Sequence, residues 1–278
     1  MSSRTEVENG LAGGHVFVDD LESAEVPIWR EGLAGVDWLR LRASSVYYGI
    51  GVPKGNRAAV IIVPGFMGTD TYLIEMHRWL KRIGYTPYMS RIGHNADCPN
   101  VLLEHLLTTT KRAFEDTGRK VHLIGHSLGG VFSRNLAMHH PDLIQSVASL
   151  GSPIRGVRVH PWVLSMSDQV RTRIHRKSPK KPRELRPKSS QCYTADCECG
   201  FTSTWRSEFT SDVDQLAIYT KTDGIVQWEM TLTGNPEWDM EVSGTHCGLA
   251  WNPEVYKALA RHLHLSERIR SASKRKAV

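Results

Sequence analysis

The sequence predicts an α/β fold in which a mostly parallel β-sheet is covered by helices on both faces. Short apolar runs alternate with amphipathic segments of helical period over most of the chain. The run at 58–63 is apolar at every position, which is typical of a parallel strand buried on both sides. A second run, at 120–125, leads directly into a glycine-rich turn and then a helix. Together these features favour a single α/β core.

The predicted elements follow in order along the chain. Runs of β-branched, aliphatic and aromatic residues predict strands at 45–52, 58–63, 85–91, 120–125, 143–150, 215–220 and 238–243. Apolar residues at helical spacing predict helices at 35–42, 70–83, 99–117, 128–140 and 253–265. The alternation stops after Pro153 and resumes at about Asp214, so the intervening segment is expected to be organised differently.

The most informative segment is V-H-L-I-G-H-S-L-G-G at 121–130. It contains G-x-S-x-G, the pattern of a nucleophile elbow, in which a tight turn between a strand and a helix presents a serine. Side chains two positions before and after that serine would collide in such a turn, which accounts for Gly125 and Gly129. Because the strand and the helix are both present, Ser127 is predicted to be a catalytic nucleophile.

An elbow serine requires an acid and then a histidine later in the chain. Asp223 follows a predicted strand and precedes a glycine, and His246 follows the last predicted strand. We therefore expect both to complete a triad with Ser127. An ordinary Asp-Gly turn would also explain Asp223. The competing carboxylates are Asp212, Asp214 and Asp239.

Acyl transfer also requires two backbone N–H groups that stabilise an oxyanion. One is expected from Leu128, which follows the nucleophile. The other is expected from the turn at 64–68, which follows the apolar strand and contains two glycines. Within it, Phe66 N–H is the predicted second donor.

These motifs resemble the α/β-hydrolase superfamily and, within it, the lipases and esterases. The segments that carry the resemblance are V-P-G-F-M-G-T-D at 63–70, G-H-S-L-G-G at 125–130, L-G-S-P at 150–153, T-D-G at 222–224 and S-G-T-H at 243–246. The resemblance covers roughly residues 45–265. It implies the α/β-hydrolase fold with a cap or lid insertion after the sixth strand of that fold. It also implies that Ser152 is structural rather than a second nucleophile.

The chain has 278 residues and can form one large domain. The predicted organisation is a polar, loose N-terminal segment, a hydrolase core in two parts, a cap insertion and a basic tail. The N-terminal segment is 1–30 and the core comprises 31–153 and 214–266. The cap insertion is 154–213 and the basic tail is 267–278. No segment approaches the roughly 18 apolar residues of a membrane span. The N-terminal residues contain no apolar signal segment, so a cytoplasmic location is expected.

The basic charge of the chain is concentrated in the insertion. Residues 171–188 contain nine Lys or Arg and one Glu, a local charge of +8, whereas the whole chain carries +6. The prolines at 179, 182 and 187 disfavour a continuous helix there. One interpretation is weak contact with anionic lipid or an acidic substrate; the other, which we favour, is an exposed mobile loop. No nucleic-acid binding is expected, because aromatic residues do not alternate with the charges.

The insertion also contains Cys192, Cys197 and Cys199. Their C-x4-C-x-C spacing is a weak match to a zinc site. Free thiols, a small disulfide and a structural zinc ion all remain open, although a cytoplasmic location disfavours the disulfide.

The function predicted from these residues is hydrolysis of small or lipid-like carboxylic esters through an acyl-enzyme, with no cofactor required. The alternative is an acyltransferase that uses the same triad with an alcohol or thiol in place of water. A binding module without activity is a third hypothesis, which the complete set of triad residues disfavours.

Overall fold

In the computed structural model, the described residues are 18–177, 191–194 and 196–276. The strands are β1 (Val18–Ser23), β2 (Ala59–Val63), β3 (Thr86–Met89), β4 (Val121–His126), β5 (Ile144–Leu150), β6 (Gly156–Val159), β7 (Asp214–Tyr219) and β8 (Asp239–Glu241). The α-helices are α1 (Ala34–Ala43), α2 (Ile74–Arg82), α3 (Pro99–Thr117), α4 (Leu128–His139), α5 (Pro161–Lys177), α6 (Gly200–Arg206) and α7 (Pro253–Lys276). Short 3-10 helices occur at Ile28–Leu33, Ser45–Tyr48, Asp70–Leu73, Trp228–Thr231 and Cys247–Trp251.

The main sheet has six strands in the order β3-β2-β4-β5-β7-β8. All neighbouring strands in it are parallel. Val63 is in register with Gly125, and Leu150 with both His126 and Ile218. The carboxyl ends of the central strands therefore lie at one edge, where the loops that follow them meet. The predicted parallel α/β architecture is confirmed.

The core lies on both faces of this sheet, as the apolar run in β2 predicts. Val60 and Ile62 pack on one face in a cluster that includes Trp79 of α2. Ile61 packs on the opposite face in a cluster that includes Phe132 of α4. Alternate residues of β2 therefore anchor two separate helical layers, which hold the carboxyl edge of the sheet in a fixed position.

The prediction of a strand at 45–52 is wrong. Residues Ser45–Tyr48 form a 3-10 helix that ends at Gly49. Tyr47 is buried, and its ring lies under the Arg82 guanidinium at 4.5 Å from the ring centroid. Packing against α2 thus outweighs the local strand preference of these residues.

The predicted limits of the terminal segments also need correction. Residues 18–30 are not loose, because β1 pairs with β6 and Ala24 N–H donates to the Val159 carbonyl at 2.8 Å; residues 1–17 lie outside the described part of the chain. At the other end, α7 continues to Lys276, through most of the predicted tail at 267–278. No proline or glycine interrupts the sequence beyond Pro253, so nothing local ends the helix earlier.

The insertion at 154–213 contains β6, α5 and α6. Val170, Ile174 and Tyr193 form a small apolar cluster with Phe66 and Met67, so part of the insertion lies against the loop that follows β2. Helix α6 packs instead against α4, within the main core. The prediction that the whole insertion covers the Ser127 pocket stays a prediction.

The basic stretch is described only up to residue 177, where it forms the last turns of α5. In this part, Arg173 is half-buried and donates to the Ala96 carbonyl at 2.5 Å. The expectation of an exposed loop is therefore wrong for 171–177, and residues 178–188, with their prolines, lie outside the described residues. Within the described ranges, no helix is long and apolar enough to cross a membrane.

Candidate active site

Ser127 stands at the sharp turn between β4 and α4. Its backbone has φ 52° and ψ −126°, a conformation that non-glycine residues rarely adopt. Its N–H donates to the Leu150 carbonyl at 2.8 Å, which ties the turn to the end of β5. The Ser127 residue remains half-buried rather than fully covered. Strain of this kind, held by the surrounding sheet, is typical of functional positions.

The glycines on each side of Ser127 permit close backbone contacts. A Cβ atom on Gly125 would lie 2.3 Å from the Gly129 carbonyl group. A Cβ atom on Gly129 would lie 2.3 Å from the Val63 carbonyl oxygen. Any side chain at either position would therefore push α4 away from β2 and β4, and the turn would open.

Asp223 and His246 form a buried hydrogen-bonded pair. Asp223 Oδ2 accepts from His246 Nδ1 at 2.7 Å, and both side chains are almost fully buried. The other carboxylate oxygen, Oδ1, accepts the backbone N–H groups of Ile225 at 2.8 Å and Val226 at 2.7 Å. The carboxylate is thus fixed by its own loop, and only Oδ2 faces the imidazole.

The competing carboxylates are placed elsewhere. Asp214 Oδ2 accepts from the Ser266 hydroxyl at 2.5 Å. Asp239 accepts from the N–H and hydroxyl groups of Thr233 at 2.8 and 2.7 Å and closes a surface turn. Asp212 is exposed. Asp223, by contrast, is hydrogen-bonded directly to the His246 ring.

The charge of the His246 ring is controlled by its buried surroundings. Burial lowers the pKa of His246, whereas the charge and hydrogen bond of Asp223 and the charge of Glu31 raise it. The net result is a pKa above the ordinary value for histidine. The pair therefore favours an imidazolium once the ring has accepted a proton.

Ser127 follows β4 and His246 follows β8, and both lie beside the carboxyl end of β5. Gly151, which follows β5, has φ +57°, and a Cβ atom there would lie 3.0 Å from His246 Nδ1. The rings of His126 and His246 have centroids 4.9 Å apart. His126 directly precedes Ser127, so the elbow and the histidine loop are in direct contact.

The loop after β2 passes beside the serine. A Cβ atom on Gly65 would lie 2.9 Å from Ser127 Cβ. Gly65 N–H donates to the Tyr72 hydroxyl at 2.7 Å, and Met67 N–H donates to the Asn95 carbonyl at 2.9 Å. Phe66 N–H lies between these two donors in the sequence and makes no hydrogen bond within the described part of the chain.

Leu128, the other predicted oxyanion donor, is the first residue of α4. Its N–H therefore has no carbonyl partner within that helix. The positive end of the α4 dipole adds to the attraction for an anion at this point. Both predicted donors thus belong to backbone that borders Ser127.

A directional hydrogen-bond chain joins the oxyanion loop to the histidine loop. His126 Nε2 donates to the His246 carbonyl at 2.9 Å, so His126 Nδ1 is the acceptor for the Tyr72 hydroxyl, also at 2.9 Å. The same hydroxyl accepts from Gly65 N–H. Burial, together with the neighbouring His246, lowers the pKa of His126 to about 3, so its ring is neutral and keeps one tautomer.

Sequence patterns gave no signal for three residues that support this site. Tyr72 lies in a segment that predicts only a helix. Glu31 and Asp37 lie near the N-terminus, and their carboxylates accept from residues 224 and 245–247, about 200 positions later. Such long-range contacts have no local signature.

The cysteines of the insertion are free thiols. Burial, together with the neighbouring Cys199 thiol, raises the pKa of Cys197 to about 11. Among the described residues, no group of three or more His, Cys, Asp or Glu is arranged to hold a metal ion. Zinc binding by Cys192, Cys197 and Cys199 therefore gains no support from the geometry.

Comparisons with known proteins agree with this architecture. A model of the alpha/beta hydrolase fold matches residues 117–179, which include the elbow. A triacylglycerol lipase from Burkholderia plantarii is 35% identical over 133 residues, covering 45% of this chain and 37% of the relative. A triacylglycerol lipase from Pseudarthrobacter phenanthrenivorans is 38% identical over 110 residues, covering 36% of this chain and 34% of the relative. The matched stretches thus span little more than a third of these relatives.

Solved structures extend the fold similarity to most of the chain. A soluble variant of monoglyceride lipase from Saccharomyces cerevisiae superposes with a TM-score of 0.54 at 13% identity, covering 77% of this chain and 90% of that chain. The monoacylglycerol lipase of Paleococcus ferrophilus gives a TM-score of 0.52 at 14% identity, covering 77% of this chain and 97% of that chain. At these identities the similarity concerns the fold alone.

Proposed function

We propose that this chain belongs to the α/β-hydrolase superfamily and hydrolyses carboxylic esters, with Ser127 as nucleophile, His246 as general base and Asp223 as its partner. The observation that carries the proposal is the buried pair between Asp223 and His246, at 2.7 Å, beside a serine held in a strained elbow. A histidine oriented by a carboxylate and placed beside a serine hydroxyl is the arrangement that nucleophilic acyl transfer requires.

In the proposed first step, Ser127 Oγ attacks the ester carbonyl and its proton passes to His246 Nε2. Asp223 accepts the Nδ1–H hydrogen bond and stabilises the imidazolium that forms. The N–H groups of Phe66 and Leu128 then stabilise the oxyanion, and each lowers the activation free energy by about 3 kcal/mol.

To complete the first half of the reaction, His246 returns the proton to the leaving alkoxide as the tetrahedral intermediate collapses to an acyl-enzyme. Water then attacks the acyl group and gives a proton to His246. His246 passes this proton to Ser127 Oγ as the second tetrahedral intermediate collapses, so the carboxylic acid leaves and the Ser127 hydroxyl is restored. These steps require no metal or organic cofactor.

The proposed substrates are small or lipid-like esters. Support comes from the relatives named as triacylglycerol lipases. The match to the lipase of Burkholderia plantarii extends over 133 residues and covers 45% of this chain. The apolar side chains of Phe66 and Met67, packed with part of the insertion beside the site, fit an apolar acyl group. Contact of residues 171–188 with anionic membranes and a cytoplasmic location stay predictions.

A panel of p-nitrophenyl esters of graded acyl length tests this proposal. We expect measurable turnover and labelling of Ser127 by an organophosphonate, detected by mass spectrometry of the peptide that contains it. Addition of an alcohol acceptor separates the alternative function, since an acyltransferase would form the transesterified product in preference to the free acid. Absence of both turnover and labelling would overturn the proposal.

The pH dependence of kcat/KM follows from the His246 pKa. The neutral ring is the base, so activity is expected to be present above the pKa of His246 and lost as the pH falls through it. Because that pKa is raised, the acid limb is expected above the ordinary histidine value of about 6.5. A pH profile of kcat/KM with a soluble ester measures it, and an acid limb below that value would contradict the assignment.

Tyr72→Phe tests the hydrogen-bond chain at the oxyanion loop. The change leaves Gly65 N–H and the buried His126 Nδ1 without their partner, so the free energy of unfolding should fall by about 1–3 kcal/mol. We also expect kcat to fall about tenfold, since the loop with Phe66 N–H loses an anchor. Tyr48→Phe, at an exposed tyrosine, is the matched control. Equal stability and kcat in Tyr72→Phe and the parent would show that these hydrogen bonds of Tyr72 do not position the oxyanion loop.

A further inference from the structure

The geometry points to Glu31 as a positioning residue that aligns the Asp223–His246 pair, an inference that rests on the proposed function. Glu31 belongs to the 3-10 helix Ile28–Leu33, directly after the polar segment predicted at 1–30. It does not touch the reacting atoms of an ester. It acts through the backbone of the two loops that carry the acid and the base.

A single carboxylate connects these two loops. Glu31 Oε1 accepts the N–H groups of Gly224 at 2.9 Å and His246 at 3.0 Å. Glu31 Oε2 accepts the N–H group of Cys247 at 2.8 Å. Gly224 directly follows Asp223, so the carboxylate bonds the acid loop and the histidine backbone at once. Hydrogen bonds from N–H groups to a carboxylate are stronger than bonds between neutral groups.

The contacts of Asp223 show why this connection matters. Asp223 Oδ1 is fixed by the N–H groups of Ile225 and Val226, which belong to its own loop. Those bonds orient the carboxylate within the loop but do not place the loop relative to His246. The hydroxyls of Thr220 and Thr222 join the two loops farther from the pair, by donating to the Gly244 carbonyl at 3.1 and 2.6 Å. The Glu31 carboxylate supplies the link at the backbone of His246 itself and of the residue that follows Asp223.

Gly224 provides a second, independent observation. A Cβ atom at this position would lie 2.8 Å from Glu31 Oε1 and 2.8 Å from the Pro27 carbonyl oxygen. The absence of a side chain therefore makes room for the carboxylate and for the segment that carries it. The glycine that follows the acid is explained by this close approach as well as by the turn itself.

The segment that carries Glu31 is anchored on both sides. Before it, Ala24 N–H donates to the Val159 carbonyl at 2.8 Å, next to the β1–β6 pairing. After it, Asp37 of α1 accepts the Thr245 N–H group at 3.3 Å, one residue before His246. Glu31 is thus held by fixed structure, as a positioning residue must be.

Glu31 also acts on the imidazole through its charge. The titratable groups that face the His246 loop from other elements are Asp223, Glu31, Asp37 and His126. Cys247 lies within the loop, next to His246. His126 is neutral, and burial, with the charge of Glu31, raises the pKa of Cys247 to about 12, so that this thiol is neutral too. The negative charges that favour a protonated His246 directly are those of Asp223 and Glu31.

The test compares Glu31→Gln and Glu31→Ala with the parent chain. Glu31→Gln keeps one carbonyl oxygen for Gly224 and His246 but removes the charge and the acceptor for Cys247. Glu31→Ala removes all three bonds. Glu25→Gln changes an exposed carboxylate in the same segment and is the matched control. The full chain is used, with three measurements: kcat and KM on a soluble ester, the pH profile of kcat/KM, and the His246 pKa by NMR of the imidazole nitrogens.

We expect kcat to fall about tenfold in Glu31→Gln and up to about 100-fold in Glu31→Ala, with KM changed less than threefold, because misplacement of a catalytic group acts on the chemical step. Both variants should lower the pKa of His246 and shift the acid limb to lower pH. Glu25→Gln should match the parent in all three measurements. If Glu31→Ala does not fold, Glu31→Gln alone decides the test.

Two results separate this inference from the proposed function. If the parent hydrolyses esters and labels at Ser127, but Glu31→Gln has the parent's kcat and His246 pKa, Glu31 is not a positioning residue. If the parent neither hydrolyses nor labels, the proposed function fails, and the NMR measurement still decides whether Glu31 sets the pKa of His246. A lower unfolding temperature in Glu31→Gln with an unchanged His246 pKa and kcat would indicate a structural role only and would overturn the inference.

Discussion

Ser127→Ala is expected to lower kcat on a p-nitrophenyl ester by about 10⁴-fold or more, because the acyl-enzyme can no longer form. The fold should be unaffected. The Ser127 side chain makes no capping hydrogen bond to α4, and alanine meets the same backbone strain at φ 52° as serine. The free energy of unfolding is therefore expected to change by less than about 0.5 kcal/mol. Steady-state kinetics and chemical denaturation of the purified variant measure the two quantities.

Ser152→Ala is the control for this experiment. Ser152 lies in the L-G-S-P segment and is almost fully buried, and its hydroxyl lies where a side chain on Gly130 would stand. It is therefore a packing residue beside α4 rather than a nucleophile. We expect this variant to keep turnover within about threefold of the parent, in line with the small effects of most substitutions away from the chemistry. Retention of more than a few per cent of turnover by Ser127→Ala would refute the nucleophile assignment.

The elbow and its strand could be predicted from sequence because short-range geometry determines them. Gly125 and Gly129 are required by backbone contacts within a few residues of Ser127 and with β2, and this requirement leaves a fixed pattern in the chain. The order of serine, acid and histidine similarly located Asp223 and His246, which the structure brings to a hydrogen-bond distance of 2.7 Å. Local rules therefore identified the residues that the fold must present at its carboxyl edge.

The supporting residues could not be predicted in this way because they act across the chain. Glu31 contacts His246 across 215 positions, and no pattern in the residues around Glu31 indicates this contact. The strand prediction for residues 45–52 was wrong for a related reason. Val46 and Tyr47 favour a strand locally, but burial of Tyr47 against Arg82 stabilises a 3-10 helix. In both cases tertiary contacts, which the sequence does not display, determine the outcome.

The insertion combines features that the sequence predicts with features that only tertiary contacts determine. Its position after β5 and its break in alternation could be read from the sequence. Its packing could not, because Val170 and Ile174 lie one turn apart on a helix whose basic residues dominate the composition. Only their contacts with Phe66 and Met67 reveal that this part of the insertion borders the proposed oxyanion loop.

Asp223→Asn is expected to lower kcat by about three to four powers of ten, with a much smaller effect on stability. The contacts of the carboxylate explain the size of this effect. Oδ1 accepts two backbone N–H groups, so the carbonyl oxygen of asparagine must remain there. The amide NH2 group then replaces Oδ2 and faces His246 Nδ1 as a donor. The ring must accept this bond, so its proton moves to Nε2, the atom that should receive the proton of Ser127.

The controls for this variant are Asp214→Asn and Asp212→Asn, which alter carboxylates placed away from His246. Both should keep kcat within about threefold of the parent, whereas a loss of several powers of ten in either, with none in Asp223→Asn, would move the acid elsewhere. The residual activity of Asp223→Asn adds a second measurement. Loss of the Asp223 charge removes the main contribution that raises the pKa of His246, so the acid limb of kcat/KM should move to lower pH. An acid limb at the parent's position would show that Asp223 does not set the protonation of the base.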